Sequence, residues 1–390
     1  MRSLSAIRNG SIFLRDPNGT ILFGDGAAYP IELRIADART YTTLATRGTL
    51  GAAAAYIDGW WDSDDLVGLF RLLTRNADTM ASLDGTLSRW VTWALSWIHR
   101  FRRNTIAGSR ENIRAHYDLS NEFFALFLDE TMAYSGGIFS TPRTTLAEAS
   151  TEKFDRICRL LNLTSRDHVL EIGTGWGGFA IHAVRNYGCK VTTTTISRKQ
   201  FDFARQRVDA AGLNDRVTVL CEDYRSLHGA YDKLASIEMI EAVGHEFLDT
   251  FFRQCSRLLR SNGAMALQTI TIPDQRYENY RRSVDFIQQY IFPGGCIPSL
   301  SAISVSLRRS SDFGVTRLDD FGSHYAETLK HWRTHFWRNV DAVRGLGFDE
   351  RFVRMWHYYL CYCEAGFLDC QIGLAQILLT KPGGRLTSPI

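Results

Sequence analysis

The chain has 390 residues and a net charge of +3 at pH 7, with 45% hydrophobic and 22% charged residues. These fractions are typical of a globular protein, and the length favours two domains over one core. The small net charge gives no sign of a nucleic-acid partner. No apolar run reaches the roughly 18 residues that a membrane-spanning helix requires.

Cysteine usage is consistent with a reduced, cytoplasmic setting. The eight cysteines are scattered and show no paired metal-ligand spacing, so neither a metal site nor a disulfide framework is expected. The N-terminal residues contain no long apolar stretch, and no secretory signal is therefore expected there.

The N-terminal part of the chain, residues 1–105, predicts a small α+β domain. The turn signal Asp16-Pro17-Asn18-Gly19 separates two apolar runs and predicts a hairpin. Residues 31–35 alternate as a further strand, and helical spacing dominates from about residue 49 to residue 80.

The segment 86–103 carries Trp90, Trp93 and Trp97 at helical spacing, with arginines at its edges. An amphipathic, basic, tryptophan-rich helix is a candidate for binding the surface of an anionic membrane. Aromatic stripes also pack into domain junctions, and the sequence leaves both interpretations open.

From about residue 150 the pattern changes to alternating strands and helices. Strands are predicted at 168–172, 189–195, 216–221, 233–237, 264–270 and 374–380. Helices are predicted at 147–161, from 179 onward, and at 198–211 and 247–259. This alternation indicates a parallel sheet with right-handed crossovers in a domain over 106–390, with an aromatic-rich helical insertion at about 273–330.

A glycine-rich loop follows the first of these strands, after Glu171. Gly173, Gly175 and Gly178 match the dinucleotide pattern, which needs an acidic residue about 20 positions later to bind the ribose. The region 191–197 has no carboxylate, whereas Glu171 before the glycines is the usual arrangement in enzymes that use S-adenosylmethionine (SAM). The loop therefore favours SAM over NAD.

Polar residues follow three further strands. Thr195 to Gln200 place a capping serine and an amide at one strand end, and Asp223 with Tyr224 follows the next. At the fourth strand, Glu241 lies in an apolar context that suits a general base or a cation-stabilising group. Pairing of Glu241 with an arginine is the alternative. Upstream, residues 116–124 and 132–139 fit either a lid over the cofactor or ordinary aromatic packing.

With these motifs the chain resembles the cyclopropane fatty acid synthases and mycolic acid cyclopropane synthases over nearly its whole length. The motifs that carry the resemblance are Gly48 to Gly59, His116-Tyr117-Asp118, Tyr134-Ser135, the glycine loop, Glu241 to His245, Tyr290 to Ser299, His324 to Trp332 and Tyr358 to Phe367.

The resemblance implies the fold of class I SAM methyltransferases, a Rossmann-like seven-stranded sheet with a helical lid. It implies transfer of the SAM methyl carbon to a cis double bond of unsaturated phospholipid acyl chains, with ring closure to a cyclopropane. The alternative is methylation of the same bond without closure, giving methyl- or methylene-branched chains. A cytoplasmic enzyme bound peripherally to the membrane, and a homodimer, are also implied.

The implied site residues fall into two groups. The cofactor contacts are Tyr134, Ser135, Glu171, Gly173, Gly175, Gly177, Thr195, Ile196, Ser197, Gln200, Asp223 and Tyr224. The catalytic group, of which several members surround a bound bicarbonate that accepts the proton, is Glu241, Tyr325, Gln268, Ile270, Gly136 and Cys363. A buried structural thiol is the alternative for Cys363, since the mechanism needs none.

Two positions depart from the family pattern. Gly136 replaces a cysteine, and Gln268 replaces a histidine that binds bicarbonate. An amide donates a hydrogen bond but carries no charge, so an anion should be held less strongly. A weaker base would favour methylation over ring closure. Two other classes of protein are disfavoured. The presence of Glu241 and Tyr325 argues against a non-catalytic lipid-binding protein. The absence of an acidic residue in the region 191–197 argues against an oxidoreductase that binds a dinucleotide.

Overall fold

The computed structural model describes residues 7–26, 30–76 and 119–384, which form two compact units. The described segments of the first unit are 7–26, 30–76, 282–293 and 329–371, and those of the second are 119–281, 294–328 and 372–384. The predicted boundary near residue 105, the tryptophan-rich segment 86–103 and the motif at 116–118 lie outside the described residues.

The first unit contains a four-stranded sheet. Its strands are β1 (Ser11–Asp16), β2 (Gly19–Gly24), β3 (Ile31–Ile35) and β4 (Trp61–Ser63), in the order β2-β1-β3-β4. The predicted hairpin is present, since β1 and β2 pair antiparallel across the Pro17-Asn18 turn. Its helices are Arg39–Ile57, Leu66–Arg75, the π-helix Ile287–Ile291, Val340–Gly345 and Glu350–Leu368.

The first helix begins at Arg39, ten positions before the predicted start near residue 49. Its first half is rich in threonine and mostly exposed or half-buried, so it lacks the apolar stripe that identifies a helix in a sequence. Gly48 has φ 56° and kinks the helix, which separates this polar half from the buried second half.

The second unit contains a seven-stranded sheet in the order β10-β11-β9-β8-β5-β6-β7. The strands are β5 (His168–Ile172), β6 (Lys190–Thr194), β7 (Val217–Leu220), β8 (Tyr231–Ile237), β9 (Leu259–Thr271), β10 (Gly314–Asp320) and β11 (Gly373–Thr380). Strands β5 to β9 pair in parallel, and β11 pairs antiparallel with β9 and β10. The predicted Rossmann-like seven-stranded sheet is present.

Helices cover both faces of this sheet because successive residues of a strand point to opposite sides. Val169 packs with Phe154 and Phe179 on one face, while Leu170 packs with Phe251 and Leu258 on the other. The α-helices of this unit are Asn121–Ala125, Leu146–Leu160, Gly178–Tyr187, Arg198–Ala210, Leu248–Leu258, Asp274–Tyr280 and Leu300–Ser310, and the helix Gly322–Arg338 begins in it. Among the described helices none combines the length and the apolar character needed to cross a bilayer.

Strand β10 lies within the segment 273–330, which the sequence predicted to be helical. Most residues of β10 are exposed, including Val315 and Leu318, because it is an edge strand. An exposed edge strand has no buried face, so the alternation that marks a strand is missing from its sequence.

The order of the strands in the sheet determines where the candidate site lies. The chain proceeds from β5 outward through β6 and β7, then returns to β8 on the other side of β5. Such a reversal leaves a crevice at the carboxyl ends of the two central strands, where α/β proteins bind their ligands. Glu171 on β5 and the residues that follow β8 at Ile237 lie at this crevice.

The N-terminal cap of the helix Leu146–Leu160 contributes to the stability of the fold, and this contribution can be measured. Thr145 caps it reciprocally with Glu148, accepting from the Glu148 N–H while its own N–H donates to the Glu148 carboxylate. We expect Thr145→Ala to lower the free energy of unfolding by about 1 kcal/mol, measured by urea denaturation, because one N–H of the first turn loses its acceptor.

Thr145→Ser is the matched control, because serine keeps the capping oxygen. An equal loss of stability in both variants would contradict this role of the cap.

Candidate active site

The glycine loop that follows β5 is fixed by the neighbouring strand β6. The N–H groups of Gly173 and Thr174 donate to the carbonyl oxygen of Thr194 at 3.0 and 3.1 Å. Gly173 has φ 104° and Gly175 φ 51°, backbone conformations that favour glycine. A Cβ at Gly175 would meet no protein atom within 4 Å, so the backbone of this loop is open to a ligand.

Glu171 supplies an unsatisfied acceptor at this loop. Its side chain is buried, and its Oε2 has no hydrogen-bond partner among the described residues. Burial raises the pKa of Glu171 to about 8, against a smaller opposing effect of Thr193. A buried carboxylate oxygen without a partner is costly unless a ligand donates to it, and a pair of ribose hydroxyls is such a donor.

A cavity opens over this loop and collects most of the predicted cofactor residues. Those that line it are Tyr134, Ser135, Glu171, Gly173, Gly175, Thr195, Ile196, Gln200, Asp223 and Tyr224. Gly177 and Ser197 do not line it. Gly177 precedes the helix Gly178–Tyr187 in a left-handed conformation, and the Ser197 hydroxyl caps the helix Arg198–Ala210 at the Gln200 N–H.

The far side of the cavity is formed by residues after β7. Both carboxylate oxygens of Asp223 are bound by the guanidinium of Arg225, at 2.8 and 2.7 Å. The ring of Tyr224 packs edge-on against Phe251, and its buried hydroxyl has no hydrogen-bond partner among the described residues. The unsatisfied Tyr224 hydroxyl and the buried Glu171 oxygen both fit a polar ligand such as an adenosyl group.

A buried lysine that the sequence did not indicate supports the Tyr134-Ser135 segment. The ammonium of Lys153 donates to the hydroxyl and the carbonyl oxygen of Ser135 and is fully buried. Burial lowers the pKa of Lys153 to about 8, while Glu238 and Asp129 act in the opposite direction. Lys153 therefore places a cation beneath the cavity wall.

Glu238 is the central side chain of the second part of the site. It follows β8 directly, with φ 48°, in the left-handed region that side chains other than glycine rarely adopt. Its N–H donates to the Gln268 carbonyl oxygen at 2.8 Å. This turn sends the carboxylate into the cavity wall, where Glu238 lines the same cavity as the glycine loop.

Three donors from three different segments converge on the Glu238 carboxylate. The Gly136 N–H and the Gln268 Nε2 donate to its Oε1 at 2.9 and 2.8 Å. The Tyr325 hydroxyl donates to its Oε2 at 2.7 Å. Three of the predicted catalytic residues therefore meet at a carboxylate that the sequence analysis did not single out.

The direction of the Gln268 amide is set from a distance by Arg156. A guanidinium only donates, so the Gln376 Oε1 must face the Arg156 Nε, which lies 3.0 Å away. The Gln376 Nε2 then donates to the Gln268 Oε1 at 2.8 Å. The Gln268 Nε2 is thereby turned toward Glu238. The register of β9, which pairs Gln268 with Gln376 on β11, makes this chain of contacts continuous.

Gly136 allows the Tyr325 ring to approach the backbone. A Cβ at position 136 would lie 3.0 Å from ring atoms of Tyr325 and 2.7 Å from a methyl group of Leu374. The helix Gly322–Arg338 carries Tyr325 in a buried position. A side chain at position 136 would therefore need Leu374 or the Tyr325 ring to shift, whereas glycine needs no such shift.

Glu241 lies apart from these donors. Its Oε1 accepts from the Ile270 N–H at 2.6 Å and from the Thr269 hydroxyl at 2.9 Å. Its Oε2 is buried and has no partner among the described residues, and the described contacts pair it with no arginine. Of the two glutamates, Glu238 lines the cavity and Glu241 does not.

Both carboxyl groups are made more basic by their surroundings. Burial raises the pKa of Glu238, and the positive charge of Lys153 is the strongest opposing influence. Burial, with a further contribution from the neighbouring Glu238, raises the pKa of Glu241 to about 8. A carboxylate with a raised pKa is a better proton acceptor near neutral pH.

The cluster does not fit a separate bicarbonate. The resemblance assigned the donors of Gly136, Gln268 and Tyr325 to that ion, but each of them already donates to Glu238. The Ile270 N–H, also assigned to it, donates to Glu241. A second anion here would also be repelled by these carboxyl groups whenever they are ionised.

Cys363 belongs to the first unit, whereas the other predicted catalytic residues belong to the second. It lies half-buried on the helix Glu350–Leu368. Burial raises the pKa of its thiol, and a thiol with a raised pKa stays protonated and unreactive at neutral pH. These properties agree with the structural alternative.

The sequence did contain a signal for Glu238. The run Ser236 to Glu241 ends β8 with two glutamates three positions apart, and only their backbone conformations decide which one enters the cavity. A left-handed glutamate cannot be read from composition or periodicity, because side chains in that region depend on tertiary contacts.

Comparisons with known proteins identify the family of this chain. A family model described as mycolic acid cyclopropane synthetase matches residues 105–377. The tuberculostearic acid methyltransferase UfaA1 of Mycobacterium tuberculosis is 39% identical over 87% of this chain and 81% of its own length. The cyclopropane-fatty-acyl-phospholipid synthase of Escherichia coli is 32% identical over 90% of this chain and 88% of its own.

A solved structure also supports membership of this family. The mycolic acid cyclopropane synthase CmaA1 complexed with SAH and CTAB is 33% identical, with a TM-score of 0.66, over 70% of this chain and 98% of that chain. The cavity with its unsatisfied Glu171 oxygen fits the adenosyl part of such a cofactor. The chain belongs to the mycolic acid cyclopropane synthetase family and is a SAM-dependent methyltransferase that acts on lipids.

Proposed function

We propose that this enzyme transfers a one-carbon unit from SAM to the cis double bond of an unsaturated phospholipid acyl chain and closes it to a cyclopropane. The observation that carries the proposal is a basic carboxylate, Glu238, in the wall of the cavity that contains the cofactor loop. An alkene is a weak nucleophile, so methyl transfer produces a cation, and ring closure then requires an acceptor for one proton.

Different residues of the cavity would have different roles in this reaction. The glycine loop and Glu171 would bind the adenosyl part of SAM, which supplies the electrophilic methyl group. Apolar residues of the cavity, including Met132, Trp176 and Val243, would exclude water that otherwise captures a cation. Lys153 and Tyr325 would hold the polar wall in place around Glu238.

A second product is favoured by two of the relatives. The relative with 39% identity is named a tuberculostearic acid methyltransferase, and another, 38% identical, a probable fatty acid methyltransferase of Pseudomonas putida. If the cation undergoes a hydride shift before losing a proton, a methyl- or methylene-branched chain results without ring closure. The same residues serve this reaction, so the product must be measured.

Several features of the substrate context remain predictions. We propose that the acyl chain is presented by phospholipid at a membrane surface and that the enzyme binds there peripherally, in the cytoplasm. A homodimer is proposed on the resemblance alone.

Product analysis tests the proposed reaction. Vesicles of mono-unsaturated phospholipid are incubated with the protein and SAM, and the acyl chains are analysed by mass spectrometry before and after catalytic hydrogenation. We expect a gain of one CH₂ in a chain that then takes up no hydrogen, because a cyclopropane replaces the alkene.

A gain of one CH₂ in a chain that still takes up hydrogen would instead support the branched product. A reaction with SAH in place of SAM is the control. No mass gain with phospholipid or with the free mono-unsaturated acid would reject the proposed function.

Cofactor binding gives a separate prediction. Glu171→Gln replaces a two-oxygen acceptor with an amide that offers one, and hydrogen bonds to charged groups contribute about 1.5–3 kcal/mol. We expect SAM affinity, measured by calorimetry, to fall roughly 10- to 100-fold. In the unsubstituted protein we also expect affinity to weaken from pH 9 to pH 6, because the Glu171 carboxyl, with a pKa of about 8, gains a proton and loses acceptor capacity.

Glu246→Gln is the matched control, since it makes the same chemical change on an exposed side chain. It should leave affinity and its pH dependence unchanged. An unaltered affinity in Glu171→Gln would show that Glu171 does not bind the ribose, whatever the product analysis reveals.

A further inference from the structure

We propose that Glu238 is the catalytic proton acceptor of this enzyme, and that its carboxylate makes a separate bicarbonate unnecessary. The inference rests on the proposed function, since it assigns a residue to the proton-removal step of that reaction.

The Glu238 carboxylate is held by hydrogen-bond donors in the way that a bound anion would be, but it is covalently part of the chain. Three donors, the Gly136 N–H, the Gln268 Nε2 and the Tyr325 hydroxyl, lie 2.7 to 2.9 Å from its two oxygens. The amide of Gln268 is oriented by Gln376 and Arg156, so the donor set is fixed before substrate arrives. The neutral amide of Gln268 is enough to hold the Glu238 carboxylate, because this carboxylate is part of the chain and does not have to be bound from solution.

The backbone of Glu238 supports a functional assignment. A non-glycine residue in the left-handed region is strained, and this strain persists only where surrounding contacts hold the backbone in place. At Glu238 those contacts are the donors named above and the bond from its own N–H to the Gln268 carbonyl oxygen. Glycine at this position would relieve the strain, so the glutamate is present for its side chain.

The step balances without a further reactant. The alkene π pair forms a bond to the methyl carbon as the sulfur–carbon bond breaks and its pair stays on sulfur. The Glu238 carboxylate then removes a proton from the transferred carbon, forming an O–H bond. The C–H electron pair closes the second C–C bond to the neighbouring cationic carbon. Glu238 finally releases the proton to water.

Glu241 is the competing assignment. It accepts from Ile270 and Thr269 and does not line the cavity, and the neighbouring Glu238 helps to raise its pKa. It is therefore less well placed than Glu238 to reach an acyl chain bound in the cavity.

The decisive experiment measures product formation from SAM and mono-unsaturated phospholipid vesicles in buffer freed of carbon dioxide, then with added bicarbonate. The unsubstituted enzyme should be active without bicarbonate and unchanged by it. Glu238→Gln should lose about 10²- to 10⁴-fold in turnover, the usual contribution of a general base. Glu238→Gly removes the side chain and leaves the three donors free, so bicarbonate should restore part of its activity.

SAM binding by each variant separates loss of the base from loss of the fold, because glycine and glutamine at position 238 leave the cofactor loop intact. Glu246→Gln is the control for a surface carboxylate and should behave as the unsubstituted enzyme. Two results would overturn the inference and leave the proposed function standing. The first is an unsubstituted enzyme that is active only with added bicarbonate. The second is a Glu238→Gly variant that keeps full activity, together with a Glu241→Ala variant whose lost activity is restored by bicarbonate. Failure of the unsubstituted enzyme to form any product would reject both.

Discussion

The site depends on one constraint, which is that charged side chains buried at the carboxyl end of a parallel sheet need hydrogen-bond partners. Glu238 obtains three donors from segments far apart in the chain, and they come together because β8 and β9 pair in register and β11 then aligns Gln376 with Gln268. A shift of one residue between these strands would turn Gln268 to the other face of the sheet and leave the carboxylate short of a donor.

The same principle separates the two functions of the cavity. Glu171 retains an oxygen with no described partner and therefore suits a ligand that brings its own donors, such as a ribose. Glu238 has both oxygens satisfied by the protein and therefore suits chemistry in which the carboxylate is held in place and accepts a proton. In the proposed mechanism, one crevice thus contains a carboxylate that binds the cofactor and a carboxylate that accepts the proton.

The two departures from the family pattern have one structural explanation. Gly136 leaves space for the Tyr325 ring, and Gln268 needs no charge because its acceptor is part of the chain. In the sequence, the glutamine at position 268 predicted a weaker anion site. Considered together with Glu238, both belong to a site in which the anion is supplied by the protein.

The sequence by itself determined the central strands, the glycine loop and most of the residues that line the cavity, because buried strands and glycine turns leave local patterns. It missed the exposed edge strand β10 and the polar first half of the helix Arg39–Ile57, which have no apolar stripe. Which of Glu238 and Glu241 enters the cavity was decided only by the tertiary structure. The physical reason is that a left-handed backbone at Glu238 is stabilised by long-range donors, and no local pattern encodes them.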